Sequence, residues 1–168
     1  MVRYITIEEL KNDGFINANI ENEYLYSAID ESQLIYLKEL LGDKLYSAMD
    51  DKVEHNTLNG KYLTLMNEYI KPYLKYKVLS VLCVPLTFKL RNAGVVSQFS
   101  NEISTTNVND TKYIESFYNQ KADFFANRLT KYLVLNKKDI KEYKYCCKEV
   151  TNPNDIHPVC GIYLGNRK

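Results

Sequence analysis

The residues best suited to hold a metal lie near the C-terminal end. Cys146-Cys147, His157 and Cys160 place three thiols and an imidazole within fifteen residues. Zinc accepts such a set tetrahedrally, and a closed site would order a stretch with little else to pack. The spacing argues the other way. Zinc-binding pairs are normally separated by two to four residues, and Cys146 and Cys147 are adjacent; only His157 and Cys160 are suitably spaced. The expectation is no metal and no cofactor, with a tail stabilised by zinc through Cys146, Cys147, His157 and Cys160 as the alternative.

Acid–base chemistry lacks its parts. His55 lies among Asp50, Asp51 and Glu54, a cluster that reads as a solvated helix end. Glu8/Glu9, Asp30/Glu31 and Asp50/Asp51 occupy adjacent helical positions, which do not face each other. A di-iron Glu-x-x-His would need a carboxylate three residues before His55, where Lys52 stands. The six glycines form neither GxGxxG nor GxxxxGK[ST], and there is no G-x-S-x-G. No enzyme is expected.

Charge is more telling. Lys137, Lys141, Lys144 and Lys148 recur at three/four spacing and would share a face if helical. Residues 128–148 hold 7 basic and 2 acidic side chains. Such a face could meet phosphates or an acidic protein, or simply be wet. Over the whole chain the net charge is +1, yet residues 1–70 carry 6 Lys/Arg against 13 Asp/Glu, and residues 71–168 carry 16 against 8. That polarity is either incidental or a basis for one copy to dock on another's opposite side.

The elements that would position these groups are helical. Residue count (168) and an apolar share of 45% suit one domain with a core of its own. Thr6-Ile-Glu-Glu9 is a capping box opening a short helix that Asp13-Gly14 ends. Asn22 to Leu41 forms the next, with Leu34, Leu37, Leu41, Leu45 and Ala48 on one stripe. Gly42 suits the position just past a helix end, and Asp43 would cap a helix from Lys44 to Glu54. A long pattern runs from Lys61 to Asn92, with Leu63, Met66, Ile70, Leu74, Val78, Val81 and Phe88 as its stripe. Pro72 and Pro85 predict a bend or restart near Lys71 and a kink near residue 85. Residues 95–109 read as an extended loop or loose hairpin. A last helix, from Asp110 or Thr111 to Asn136, has Ile114, Tyr118, Ala122, Phe125, Leu129 and Tyr132 as its stripe; a further turn or two would cover 138–148. The fold expected is an all-α bundle of four to five helices, with a helical domain over 1–142 and an irregular C-terminal extension over 143–168. No apolar run is long enough to span a bilayer. The first residues lack the apolar core of a secretory signal, so synthesis and assembly in the cytoplasm are expected. The abundance of Lys, Asn, Tyr and Ile indicates an A/T-rich genome.

Two stretches carry a resemblance. LKELLGDKLY (37–46) is a helix ending in Leu-Gly and followed at once by a short helix. YIKPYLKYKVLSVLCVPLTFKLRNAGVV (69–96) is a Tyr-Ile-x-Pro helix running to an Asn-x-Gly-Val stop. A Ser/Thr-rich loop follows, then a helix with Tyr118, Ala122 and LTKYL (129–133). This order, over residues 5–136, resembles the head-to-tail connector (adaptor, head-completion) proteins of tailed bacteriophages, most closely the ring proteins of crAss-like phages. The resemblance implies a structural virion protein at the head–tail junction, forming a ring, usually dodecameric, under the portal protein. It would extend the DNA channel, allow non-specific contact with packaged DNA, and present a platform to the next tail component. In such families the loop and C-terminal extension reach neighbouring chains. Carried onto this sequence, the interface residues are Val95, Val96, Phe99, Ile103, Tyr143, Tyr145, Ile156, Val159, Ile162, Tyr163 and Leu164, with Lys137, Lys141, Lys144 and Lys148 as the basic face. The rival reading is an intracellular monomeric helical interaction module, with or without the zinc-bound tail.

Overall fold

A computed structural model describes residues 2–12, 16, 20–91, 94–97 and 108–143. Among these the chain is an all-α bundle carrying one small hairpin. Helix α1 is Ile7–Asn12. A long helical run follows as α2 (Asn22–Glu31), a π-helical stretch (Ser32–Leu37) and α3 (Lys38–Leu41). Then come α4 (Asp43–Glu54) and a second long run made of α5 (Gly60–Thr64), a π-helical stretch (Leu65–Ile70) and α6 (Lys71–Thr87). Strands β1 (Phe88–Arg91) and β2 (Gly94–Ser97) pair antiparallel, Phe88 opposite Ser97 and Arg91 opposite Gly94. Helix α7 is Val108–Leu135.

The first turn forms as its sequence dictates. The Thr6 amide donates to Glu9 Oε2 (2.9 Å), and the Glu9 amide donates to Thr6 Oγ1 (3.2 Å). The same carboxylate receives Lys71 Nζ, at 2.5 Å, which ties α1 to the start of α6. Burial pushes the Glu9 carboxyl up, but the hydrogen bonds from Lys71 and Thr6 outweigh it and hold the group below its ordinary range. A depressed carboxyl contributes stability that is present above the ordinary pKa and lost as pH falls through the folded value. Glu9→Gln is therefore expected to lower the urea midpoint at about pH 7 and to converge with the unaltered chain near about pH 3. Equal loss at both pH values would refute the linkage.

Gly42 turns α3 into α4. Its φ of 75° with ψ of 156° is a backbone conformation that glycine alone adopts readily. Its amide closes the preceding helix on Lys38 O (2.9 Å), while its carbonyl accepts the Tyr46 amide (3.0 Å). Asp43, expected as the cap, is instead the first helical residue; it forms an ion pair with Lys38 at 3.3 Å.

Pro72 does not end the helix: the run stays helical from Gly60 to Thr87 and changes from π-helical to α-helical at Lys71, where the sequence predicted a bend or restart. An α-helical Pro72 would press its ring on the carbonyl four residues back, that of Glu68. The π-helical stretch contains Glu68 and ends two residues before the proline. Its wider hydrogen-bonded turn relieves the crowding without breaking the helix. Pro85 acts differently: α6 stops at Thr87, and Phe88–Arg91, expected as helix, is a strand. The hairpin thus begins seven residues earlier than the sequence pattern suggested.

After the hairpin, α7 returns antiparallel along the second long run. Tyr69 stacks on Tyr132 (centroids 4.3 Å apart) and Tyr76 on Phe125 (5.4 Å). Seven residues forward on one run match seven back on the other, which fixes the register. The core lies where α2, α6 and α7 meet: Leu25, Ile29, Leu37, Ile70, Leu74, Val78, Leu129 and Leu133 are each fully buried. Both π-helical stretches shift the stripes read from the sequence. Leu34 and Leu63, assigned inward, are exposed, while Gln33 and Leu65 are buried. Ile114 is likewise exposed at the end of its stripe.

Candidate functional site

Twelve large apolar side chains remain exposed among the described residues, and seven fall on two helix faces: Tyr26, Leu34 and Ile35 on one, Tyr113, Phe117, Phe124 and Leu135 on the other. Exposed apolar groups gathered in this way mark contact surfaces, whereas scattered ones need no explanation.

The first face belongs to α2 and the π-helical stretch after it. Glu23, Ser27, Glu31, Ile35 and Glu39 recur every four residues and all are exposed. Leu34 lies beside Ile35. The ridge is therefore apolar at its middle and acidic along its length. At its start, Arg3 grips Asp30 with a two-pronged contact (2.7 and 2.8 Å) and stacks on Tyr26, 4.4 Å from its centroid.

The second face is the outer side of α7. Tyr113, Phe117, Phe124, Lys131 and Leu135 follow helical spacing away from the buried Ala122, Leu129 and Leu133. Cations border it. Lys121 Nζ lies 4.3 Å from the Phe117 centroid and 5.4 Å from that of Tyr76; Arg128 lies 5.7 Å from Phe125. A shallow groove of about 390 Å³ opens between Tyr76, Phe117, Lys121 and Phe124.

The two faces look out from different flanks. Lys77 on α6 sits between them. Its Nζ lies 3.7 Å from the Tyr36 centroid and donates to Asn119 Oδ1 (2.9 Å), so the first π-helical stretch approaches the Asn119 side of α7. Lys121 and Arg128 occupy the opposite side of that helix, against Tyr76 and Tyr69. Burial lowers the Lys77 ammonium below its ordinary pKa, partly offset by Asp123, Glu115 and Glu31.

Few of the sequence-derived site residues can be placed. Val95 and Val96 lie in β2, opposite Leu90 and Lys89. Tyr143 packs partly buried against the chain's own core. Lys137 and Lys141 are exposed, but α7 ends at Leu135 and residues 136–143 form turns, with the Asp139 and Ile140 amides both donating to Asn136 O at 2.9 Å. The premise of a helical lysine face therefore fails at its first two members. Phe99, Ile103, Lys144, Tyr145, Lys148, Ile156, Val159, Ile162, Tyr163 and Leu164 lie outside the described residues, as do Cys146, Cys147, His157 and Cys160. Among the described residues no group of three His, Cys, Asp or Glu side chains is placed to hold a metal, and no helix is long and apolar enough to cross a membrane.

Both exposed faces escaped the sequence reading. A signal for the second was present. Tyr113-Ile114, Phe117-Tyr118 and Phe124-Phe125 are adjacent apolar pairs, and neighbours on a helix point 100° apart. One stripe cannot hold both members of each pair. The first face carried the same signal in Leu34-Ile35, within the apolar run Leu34–Leu37.

The described residues thus form a small helical bundle with two exposed apolar helix faces. The chain belongs to the family of unknown function DUF6712, whose model matches residues 37–153, more than half of its length. No curated protein and no solved structure matches it.

Proposed function

We propose that this chain is a structural virion protein that assembles as a ring, a dodecamer by resemblance, at the portal–tail junction of a tailed bacteriophage. There it extends the DNA channel and receives the next tail component. The observation that carries this reading is the pair of unlike exposed faces on different flanks of one bundle. A ring joins head to tail through two different patches of the same protomer. A dimer about a twofold axis would need only one patch that matches itself. The order of helix, hairpin and returning helix over residues 69–135 also agrees with the resemblance drawn from the sequence.

The reading is tested by adding the purified chain to the portal protein of the same virus and measuring particle mass by electron microscopy. A closed ring of fixed copy number on the portal is the expected result. A chain that stays monomeric beside the portal, and is missing from mature particles, would end the proposal. Deleting residues 149–168 is expected to leave the helical circular dichroism intact and to weaken docking. Loss of helicity on deletion would show instead that those residues support the fold.

A further inference from the structure

We infer that the acidic ridge of one copy, centred on Leu34 and Ile35, docks on the aromatic stripe of α7 of a second copy, with Ile35 entering the groove between Tyr76, Phe117, Lys121 and Phe124. This deepens the ring reading and rests on it.

Complementarity is the argument. Both faces are apolar at the centre, so each has area to remove from water. Around Ile35 the exposed charges are Glu23, Glu31 and Glu39, and the half-exposed Lys38 beside them is paired with Asp43. Around the stripe the exposed charges are Arg128 and Lys131, with half-buried Lys121 over Phe117; Asp110 is the acidic exception, at the start of α7 beside Tyr113. Two ridges or two stripes placed together would juxtapose like charges, whereas ridge on stripe pairs opposite ones. The groove offers aromatic walls and a lysine already held over Phe117, a setting for a branched aliphatic side chain flanked by carboxylates. The faces lie on different flanks, so a chain engaged through one keeps the other free and the contact propagates. The acidic excess over residues 1–70 and the basic excess over residues 71–168 then have a structural meaning.

Two variants of the full chain decide the matter. Leu34→Asp with Ile35→Asp spoils only the ridge; Phe117→Asp with Phe124→Asp spoils only the stripe. All four positions are exposed, so both variants should melt like the unaltered chain. Sedimentation velocity over a concentration series, at about 50 mM and about 300 mM salt, then reads association. The unaltered chain is expected to associate, more weakly at the higher salt. Each variant alone should associate roughly 100-fold more weakly or worse, as when interface centres are lost. An equimolar mixture should stop at a heterodimer, because one sound ridge and one sound stripe remain. A mixture that stays monomeric, or either variant associating like the unaltered chain, overturns the pairing. The same variants are added to the portal. If both still close rings there, this pairing is wrong and the ring reading stands; if the unaltered chain forms none, both fall. A stripe variant that loses a fluorescent single-stranded oligonucleotide, yet self-associates normally, would assign the stripe to nucleic acid and overturn the inference.

Discussion

Leu133→Ala is expected to cost about 3 kcal/mol and to lower Tm by about 6–12 °C. Leu133 is wholly buried on the inner side of α7, near the point where Tyr132 stacks on Tyr69. Truncation removes three carbons from a close-packed junction and leaves a cavity that rigid neighbouring helices cannot fill. The comparison that gives the result meaning is Leu135→Ala, two residues on, where the side chain is 83% exposed. There the same truncation should change stability by less than about 0.5 kcal/mol. Leu135 lies on the outer stripe, so its loss should appear in self-association instead. Thermal melts of the two variants, followed by sedimentation, separate the two roles of one helix. Similar Tm losses for both would mean that α7 is not oriented as described.

The helices were largely legible because their signals are local. The capping box at Thr6–Glu9, the run from Asn22 to Leu41 and the glycine stop at Gly42 all form where the sequence placed them. Each depends on residues within one or two turns, where propensity and capping act. What was not legible depends on turn geometry or partners. A stripe drawn with uniform helical spacing put Leu34 and Leu63 inside, and one π-helical stretch in each long run rotated the pattern so that Gln33 and Leu65 took the inner places. The proline was visible at residue 72, but not the way in which the chain would relieve it. The hairpin was misplaced because Phe88–Arg91 continues an apolar helical pattern, and only pairing with Gly94–Ser97 makes it a strand. The interface residues expected from the sequence lie on the loop and C-terminal extension, whereas among the described residues half of the exposed large apolar side chains lie on α7 and Leu34 and Ile35 stand together on the first π-helical stretch.

Gln33→Leu should be the most damaging exchange outside the apolar core, costing about 2–4 kcal/mol. Gln33 has no exposed surface, and its amide is spent on the N-terminal segment. Its Oε1 accepts the Tyr4 amide (2.8 Å), and its Nε2 donates to Val2 O (2.8 Å) and to the Tyr46 hydroxyl (3.4 Å). Tyr4 in turn donates its hydroxyl to Asp50 (2.7 Å), and burial together with that bond raises the phenol far above its ordinary pKa, so it remains a donor. The amide of Gln33 thus substitutes for a strand partner, holding Val2 and Tyr4 against the first π-helical stretch, while Tyr4 reaches Asp50 on α4. A leucine fills similar space but leaves the buried Tyr4 amide without a partner and takes the part-buried Val2 carbonyl's donor away. Hydrogen exchange at the Tyr4 amide should rise in step with the loss of stability; slow exchange in Gln33→Leu would show that another group holds the segment. Gln33→Glu sharpens the test through pH. Buried there, the carboxyl can donate to Val2 O only while protonated, so its folded pKa would lie above the unfolded value of about 4.3. A raised carboxyl pKa contributes stability below the unfolded value that is lost as pH rises through the folded one. Gln33→Glu should therefore weaken as pH rises from about 4 to about 7 relative to the unaltered chain, opposite in sign to the Glu9 contribution. A flat difference across that range would mean that the residue 33 side chain meets water, and that the N-terminal segment is not clamped by it.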